Sequence, residues 1–130
     1  MTFNHDLIVG KKIEHEVCSL IKERYPNARV IDGYFKGGDI YVPEKDFLIE
    51  VKHDEMSHET GNYLIEVKYD GVDSALNTTE AAWWVIVDKD YYIWVVPDTL
   101  RLIIRELKLK PRVLKGRGDI KSKTAYFIAK

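Results

Sequence analysis

The chain has 130 residues, 45% hydrophobic and 32% charged, with a net charge of −1. That length predicts one domain, 1–130, with an ordinary hydrophobic core, and the balanced charge excludes a global basic field. One cysteine, Cys18, excludes an internal disulfide framework, and the lack of a signal-peptide pattern or membrane-length apolar run predicts a cytoplasmic protein without a membrane partner.

In chain order, Val9, Ile13, Val17, Leu20 and Ile21 recur at helical spacing and predict a helix over about Asp6–Tyr25, stopped by Pro26-Asn27. Ala28–Ile31 reads as a short strand and Asp32-Gly33 as a turn. Gly37-Gly38 leads into a strand over Asp39–Val42, Pro43–Asp46 forms a turn, and Phe47–Lys52 is the next strand. His53–Gly61 reads as loop with a helical turn, Tyr63–Tyr69 as a strand, Asp70–Asn77 as loop and Thr78–Ala81 as a short helical turn. Trp84–Val87 and Tyr91–Val96 predict a hairpin around Asp88-Lys89-Asp90. A second helix spans about Asp98–Leu107, with Leu100, Ile103, Ile104 and Leu107 on one stripe. Lys110–Lys123 is basic and contains glycine, and Thr124–Ala129 reads as a last strand. This order predicts an α/β (α+β) fold with a central mixed sheet flanked by helices.

The segment GGDIYVPEKDFLIEVKHD carries the chemistry. Strand alternation puts Leu48, Glu50 and Lys52 on one face, and Phe47, Ile49 and Val51 on the other. Asp39, on the neighbouring strand, comes beside Glu50. Two carboxylates and a lysine at one sheet edge suit a divalent cation and an activated water, and so phosphodiester hydrolysis. Acid-x-Lys alone is unspecific, because it also occurs at Glu66-Val67-Lys68, Glu106-Leu107-Lys108 and Asp119-Ile120-Lys121. Only Glu50 and Glu66 lie on apolar strands, in two copies of LIEVK. The upstream acid of the second copy, Asp54, sits in a polar stretch, whereas Ile40, Tyr41 and Val42 support Asp39, so the first copy is preferred. Glu66 reads either as part of a cross-strand charge ladder or as an additional carboxylate beside Glu50. His53 and His58 fit no zinc-ligand spacing.

Asp39, ten residues, then Glu50-Val51-Lys52 resembles the signature of the PD-(D/E)xK nuclease superfamily, with Gly38 where that name has proline. Gly10-Lys11-Lys12-Ile13-Glu14-His15-Glu16-Val17 resembles the G-x-x-x-E-x-x-V helix of its Holliday-junction-resolvase-like branch, making Glu14 the helix acid and Glu16 its alternative. The segments Thr60–Glu66 and Thr78–Trp84 are similar to small phage endonucleases. The resemblance covers most of residues 6–96 and implies a restriction-endonuclease-like core. It further implies a metal-dependent DNA endonuclease, structure-selective for branched or junction DNA, that leaves 5′-phosphates and acts as a homodimer in the host cytoplasm.

On that reading Asp39, Glu50 and the Val51 carbonyl hold Mg²⁺ or Mn²⁺. Glu14 holds a second ion or orients water, and Lys52 positions the attacking water. DNA contacts fall to the basic C-terminal stretch, namely Lys115, Arg117, Lys121 and Lys123. Lys11, Lys12, Lys22 and Arg24 read as surface charges on the first helix. The alternatives are a restriction-like nuclease and a non-catalytic nucleic-acid-binding module on the same fold. The intact Asp39, Glu50 and Lys52 argue against the second.

Overall fold

The computed structural model describes residues 3–33, 38–115 and 121–130, with side chains from residue 8 onward. It is a mixed α/β fold with two sheets. Helix α1 (Phe3–Lys22) is followed by β1 (Arg29–Val30), β2 (Ile40–Val42) and β3 (Phe47–His53). A short helix α2 (Ser57–Thr60), β4 (Asn62–Tyr69), β5 (Val72–Asp73) and a 3-10 turn (Ala75–Asn77) come next. Then come β6 (Trp83–Val87), β7 (Tyr92–Val95), α3 (Pro97–Glu106), β8 (Arg112–Leu114) and β9 (Lys123–Ala129). Among the described residues no helix is long and apolar enough to cross a membrane.

The first sheet has the order β1-β2-β3-β6-β7. It is mixed, because β3 and β6 run parallel while its other neighbours are antiparallel. A parallel pair needs a long crossover. Here residues 54–82 supply it, and on the way they build two strands, β4 and β5, of the second, antiparallel sheet, β5-β4-β9-β8. The single flanked sheet predicted from the sequence is therefore incomplete. The first sheet carries α1 on one face, but its other face packs against a second sheet and α3.

Two cores follow from strand alternation. Ile40, Val42, Ile49, Val85 and Val87 meet Val17, Cys18 and Ile21 of α1. On the other face Trp84 and Ile86, with Leu48 beside them, meet Ile65 and Val67 of β4 and Leu100 of α3. Leu48 and Ile49 thus enter opposite cores, as alternation predicts.

Several boundaries differ from expectation. Helix α1 ends at Lys22, where Arg24 and Tyr25 close onto the Ile21 carbonyl as a turn. The helical turn expected at Thr78–Ala81 lies instead at Ala75–Asn77. Thr79 caps no helix: its Oγ1 accepts the Trp84 indole N–H at 3.1 Å and the Ala81 N–H at 3.2 Å. Strands β5 and β8 fall where only loop or a basic stretch was expected, because both are short and poor in alternating apolar residues. Trp84 is core, but Trp94 is 43% exposed on edge strand β7. Gly37, and Gly116 to Ile120 with Arg117 and Asp119 among them, lie outside the described residues.

Candidate metal and phosphodiester site

The site begins where β2 stops short of β3. Ile40 is the last residue of β2 paired toward this end, opposite Ile49, so Glu50, Val51 and Lys52 have a ladder partner only in β6. Backbone polar groups also alternate along a strand. The Leu48 carbonyl accepts from Ala82 N–H on the β6 side, at 2.9 Å, and Ile49 accepts from Asp39 N–H on the β2 side, at 2.8 Å. Val51 therefore turns its N–H and carbonyl toward the open edge. The Asp39 carboxylate fills that edge, accepting the Val51 N–H on Oδ2 at 2.8 Å.

Asp39 itself lies one residue before β2 and is held on both sides of its backbone. Its N–H donates to Ile49, and its carbonyl accepts from Ile31 N–H at 2.8 Å. Gly38 explains why no proline stands before it. The φ of 151° is closed to proline, and a Cβ there would lie 2.9 Å from the Ile49 carbonyl oxygen.

Glu50 and Lys52 share a face, with Lys52 Nζ 3.2 Å from Glu50 Oε1 and 5.4 Å above the Trp84 ring. The Glu50 side chain is only 17% exposed. Burial pushes its carboxyl up to about 7; Lys52 opposes this, while Asp39 and Glu14 add to it. Asp39 is likewise raised by burial, against the pull of the Val51 N–H, Lys52 and Lys11. Glu14 is raised by burial and then by Asp39. Glu14 lies one turn from buried Val17 on α1. Glu16 is exposed.

Three oxygen-donor side chains from three elements that oppose one another's ionisation suit a hard divalent cation, which would relieve the repulsion. Asp39, Glu50 and the Val51 carbonyl are the groups that would hold one if it bound, with Glu14 on the helix beside them. Glu14 is turned to Lys11, 3.4 Å away, and among the described residues no three His, Cys, Asp or Glu side chains converge with metal-ligand geometry.

The second LIEVK copy is built differently. Both oxygens of Asp54 bind backbone, Oδ1 accepting Ser57 N–H at 3.0 Å and Oδ2 accepting Leu64 N–H at 2.9 Å. Glu66 belongs to the second sheet, where it accepts the Ser74 hydroxyl at 2.8 Å and meets Lys123 at 4.0 Å. It lines, with Lys52 and Lys123, a cleft of about 620 Å³ between β3 and β4. Lys123, from the basic stretch, thus shares a cleft with Lys52. Lys115 and Lys121 are exposed, and Lys121 lies 5.9 Å over the Tyr69 ring.

Two residues with a part in this architecture escaped the sequence reading. Lys11 faces the acids rather than solvent alone. Asp88 reads as a turn residue, yet it is buried and joins the two sheets through Tyr63, 2.8 Å away. Only the i, i+3 spacing of Lys11 and Glu14 could have signalled the first.

The raised Glu50 has a consequence for stability. Between about pH 4.5 and 7 the folded protein holds a proton that the unfolded chain has released, so stability is expected to fall as pH rises through this window. Ca²⁺ should restore it above pH 7, and Glu50→Gln should flatten the pH dependence. Unfolding midpoints measured across this range, with and without Ca²⁺, check both; a flat wild-type profile would contradict the assigned burial cost.

No known family model matches the chain, and no curated protein or solved structure matches it.

Proposed function

We propose that this protein is a Mg²⁺- or Mn²⁺-dependent DNA endonuclease of PD-(D/E)xK type, resembling small phage enzymes, that cuts branched or junction DNA. The observation that carries this reading is the open edge of β3. There the Asp39 carboxylate, held by the Val51 N–H, stands in the electrostatic field of Glu50 and Glu14, with Lys52 paired to Glu50. A bound divalent cation would lower the pKa of a water and neutralise charge building on the phosphorane.

The chain's own groups supply the rest. Asp39 and Glu50 present oxygens to the cation, and the backbone bonds of Asp39 fix its direction. Lys52, drawn to Glu50 and over Trp84, orients the attacking water on the cleft side. Water oxygen bonds to phosphorus as the bond to the 3′ oxygen breaks, leaving a 5′-phosphate. Lys123 and the exposed Lys115 and Lys121 supply phosphate contacts that do not read sequence. The described elements form two sheets that meet in one of the two apolar cores. Two copies would act on a symmetric branch, one for each cut.

The test is cleavage of labelled single-stranded, duplex, nicked, flap and four-way-junction DNAs in Mg²⁺ and in Mn²⁺. Cutting of the branched substrates should vanish with Lys52→Ala and survive Glu66→Ala. DNA that is bound but never cut would replace this reading with the non-catalytic binding module.

A further inference from the structure

Lys11 looks in the sequence like a surface charge, yet its ammonium lies 3.4 Å from Glu14 Oε1 and 3.4 Å from the Ile31 carbonyl. Ile31 is the residue whose N–H holds the Asp39 carbonyl at 2.8 Å. Lys11 therefore approaches the acids from α1, as Lys52 does from β3. Both contacts of Lys11 are long for charge-assisted bonds, which run to about 2.9 Å, so they are readily exchanged. An ammonium has three donors, and these two contacts leave one over. The side chain is 36% exposed, enough to turn toward a ligand. Three carboxylates would otherwise repel a phosphodiester, and Lys52 is already engaged with one of them.

We propose that Lys11 is a second phosphate-binding ammonium of this site, contacting the DNA strand to be cut from the α1 side, across the acids from Lys52. The proposal rests on the nuclease reading and adds a residue to it. Lys11→Met keeps the stem and removes the charge. The probe is the affinity, by fluorescence anisotropy in Ca²⁺ at several salt concentrations, for a four-way junction and a flap DNA. Lys11→Met should weaken binding about tenfold and lower the salt slope by about 1. Lys11→Arg should recover both. Ca²⁺ binding without DNA, followed by calorimetry, should be retained or tightened, because a neighbouring positive charge is gone; loss of affinity through collapse of the site would instead abolish it. Lys12→Met, on an exposed neighbour, should change neither quantity. If Lys11→Met behaves like Lys12→Met while the wild type binds and cuts, Lys11 has no phosphate role and the nuclease reading stands. If the wild type neither binds nor cuts any DNA, the nuclease reading falls, and the role of Lys11 with it.

Discussion

Glu50→Gln is expected to lower DNA cleavage at least about 10³-fold while leaving the protein folded and slightly more stable at pH 8. The two effects have one origin. Glu50 is mostly buried, and the cost of burying its charge pushes its carboxyl up to about 7. Glutamine fills the same volume without a charge to desolvate, so the fold gains. The carboxylate is nevertheless one of two strand acids at the open edge of β3, and an amide is a poor ligand for a hard cation. Cleavage rate and thermal midpoint, measured on one preparation at pH 8, should therefore move in opposite directions. A surface glutamate serves as contrast: Glu16→Gln should alter neither by much. If Glu50→Gln loses activity only in step with stability, Glu50 is a packing residue and the metal site must be sought elsewhere.

The pair at the centre of that prediction was legible because period-two alternation and a four-residue turn are local. Asp39 meets the register of Glu50 once Ile40 pairs with Ile49, and the apolar flanks enforce that pairing. What alternation could not tell is that β2 ends there, leaving the Val51 N–H for a side chain to take. The polar stretch around Asp54 set the second LIEVK copy apart in the sequence, but it gave no sign that both oxygens of Asp54 are taken up by backbone N–H groups. The placement of the two copies in different sheets was not legible. Both strands have the same pattern, and only the parallel pairing of β3 with β6 sends the chain between them into a second layer. Lys11 escaped because helical periodicity gives its face, while its partner Ile31 is set by how α1 lies on β1. Asp88 escaped for the same reason, since turn chemistry accounts for only part of its bonding.

That remaining part leads to the largest expected loss of stability. Asp88 is 6% exposed and binds on every side. Its Oδ1 accepts the N–H groups of Asp90 at 2.7 Å and Tyr91 at 2.6 Å, which closes the β6–β7 turn. Its Oδ2 takes the Tyr63 hydroxyl of β4 at 2.8 Å and lies 3.2 Å from the Lys130 ammonium just beyond β9. The carboxylate therefore ties the first sheet to two strands of the second. Burial alone would raise its pKa, but Tyr63, the two N–H groups and Lys130 outweigh that and hold it well below the usual carboxylate range. Burial and then the bond to Asp88 push the Tyr63 phenol up to about 12. Asp88→Ala strands these donors and should cost about 3 kcal/mol, lowering the melting temperature by about 10 °C. Tyr63→Phe, which removes one donor, should cost about 1 kcal/mol. A depressed carboxyl stabilises the fold above the unfolded pKa and loses that contribution as pH falls through the folded value. The gap between wild type and Asp88→Ala should therefore be full at pH 7 and narrow under strong acid. Unfolding curves of both proteins at pH 7 and at low pH decide the matter. A gap at pH 7 no larger than that of exposed Asp90→Ala would mean that the two sheets are held by their apolar core alone.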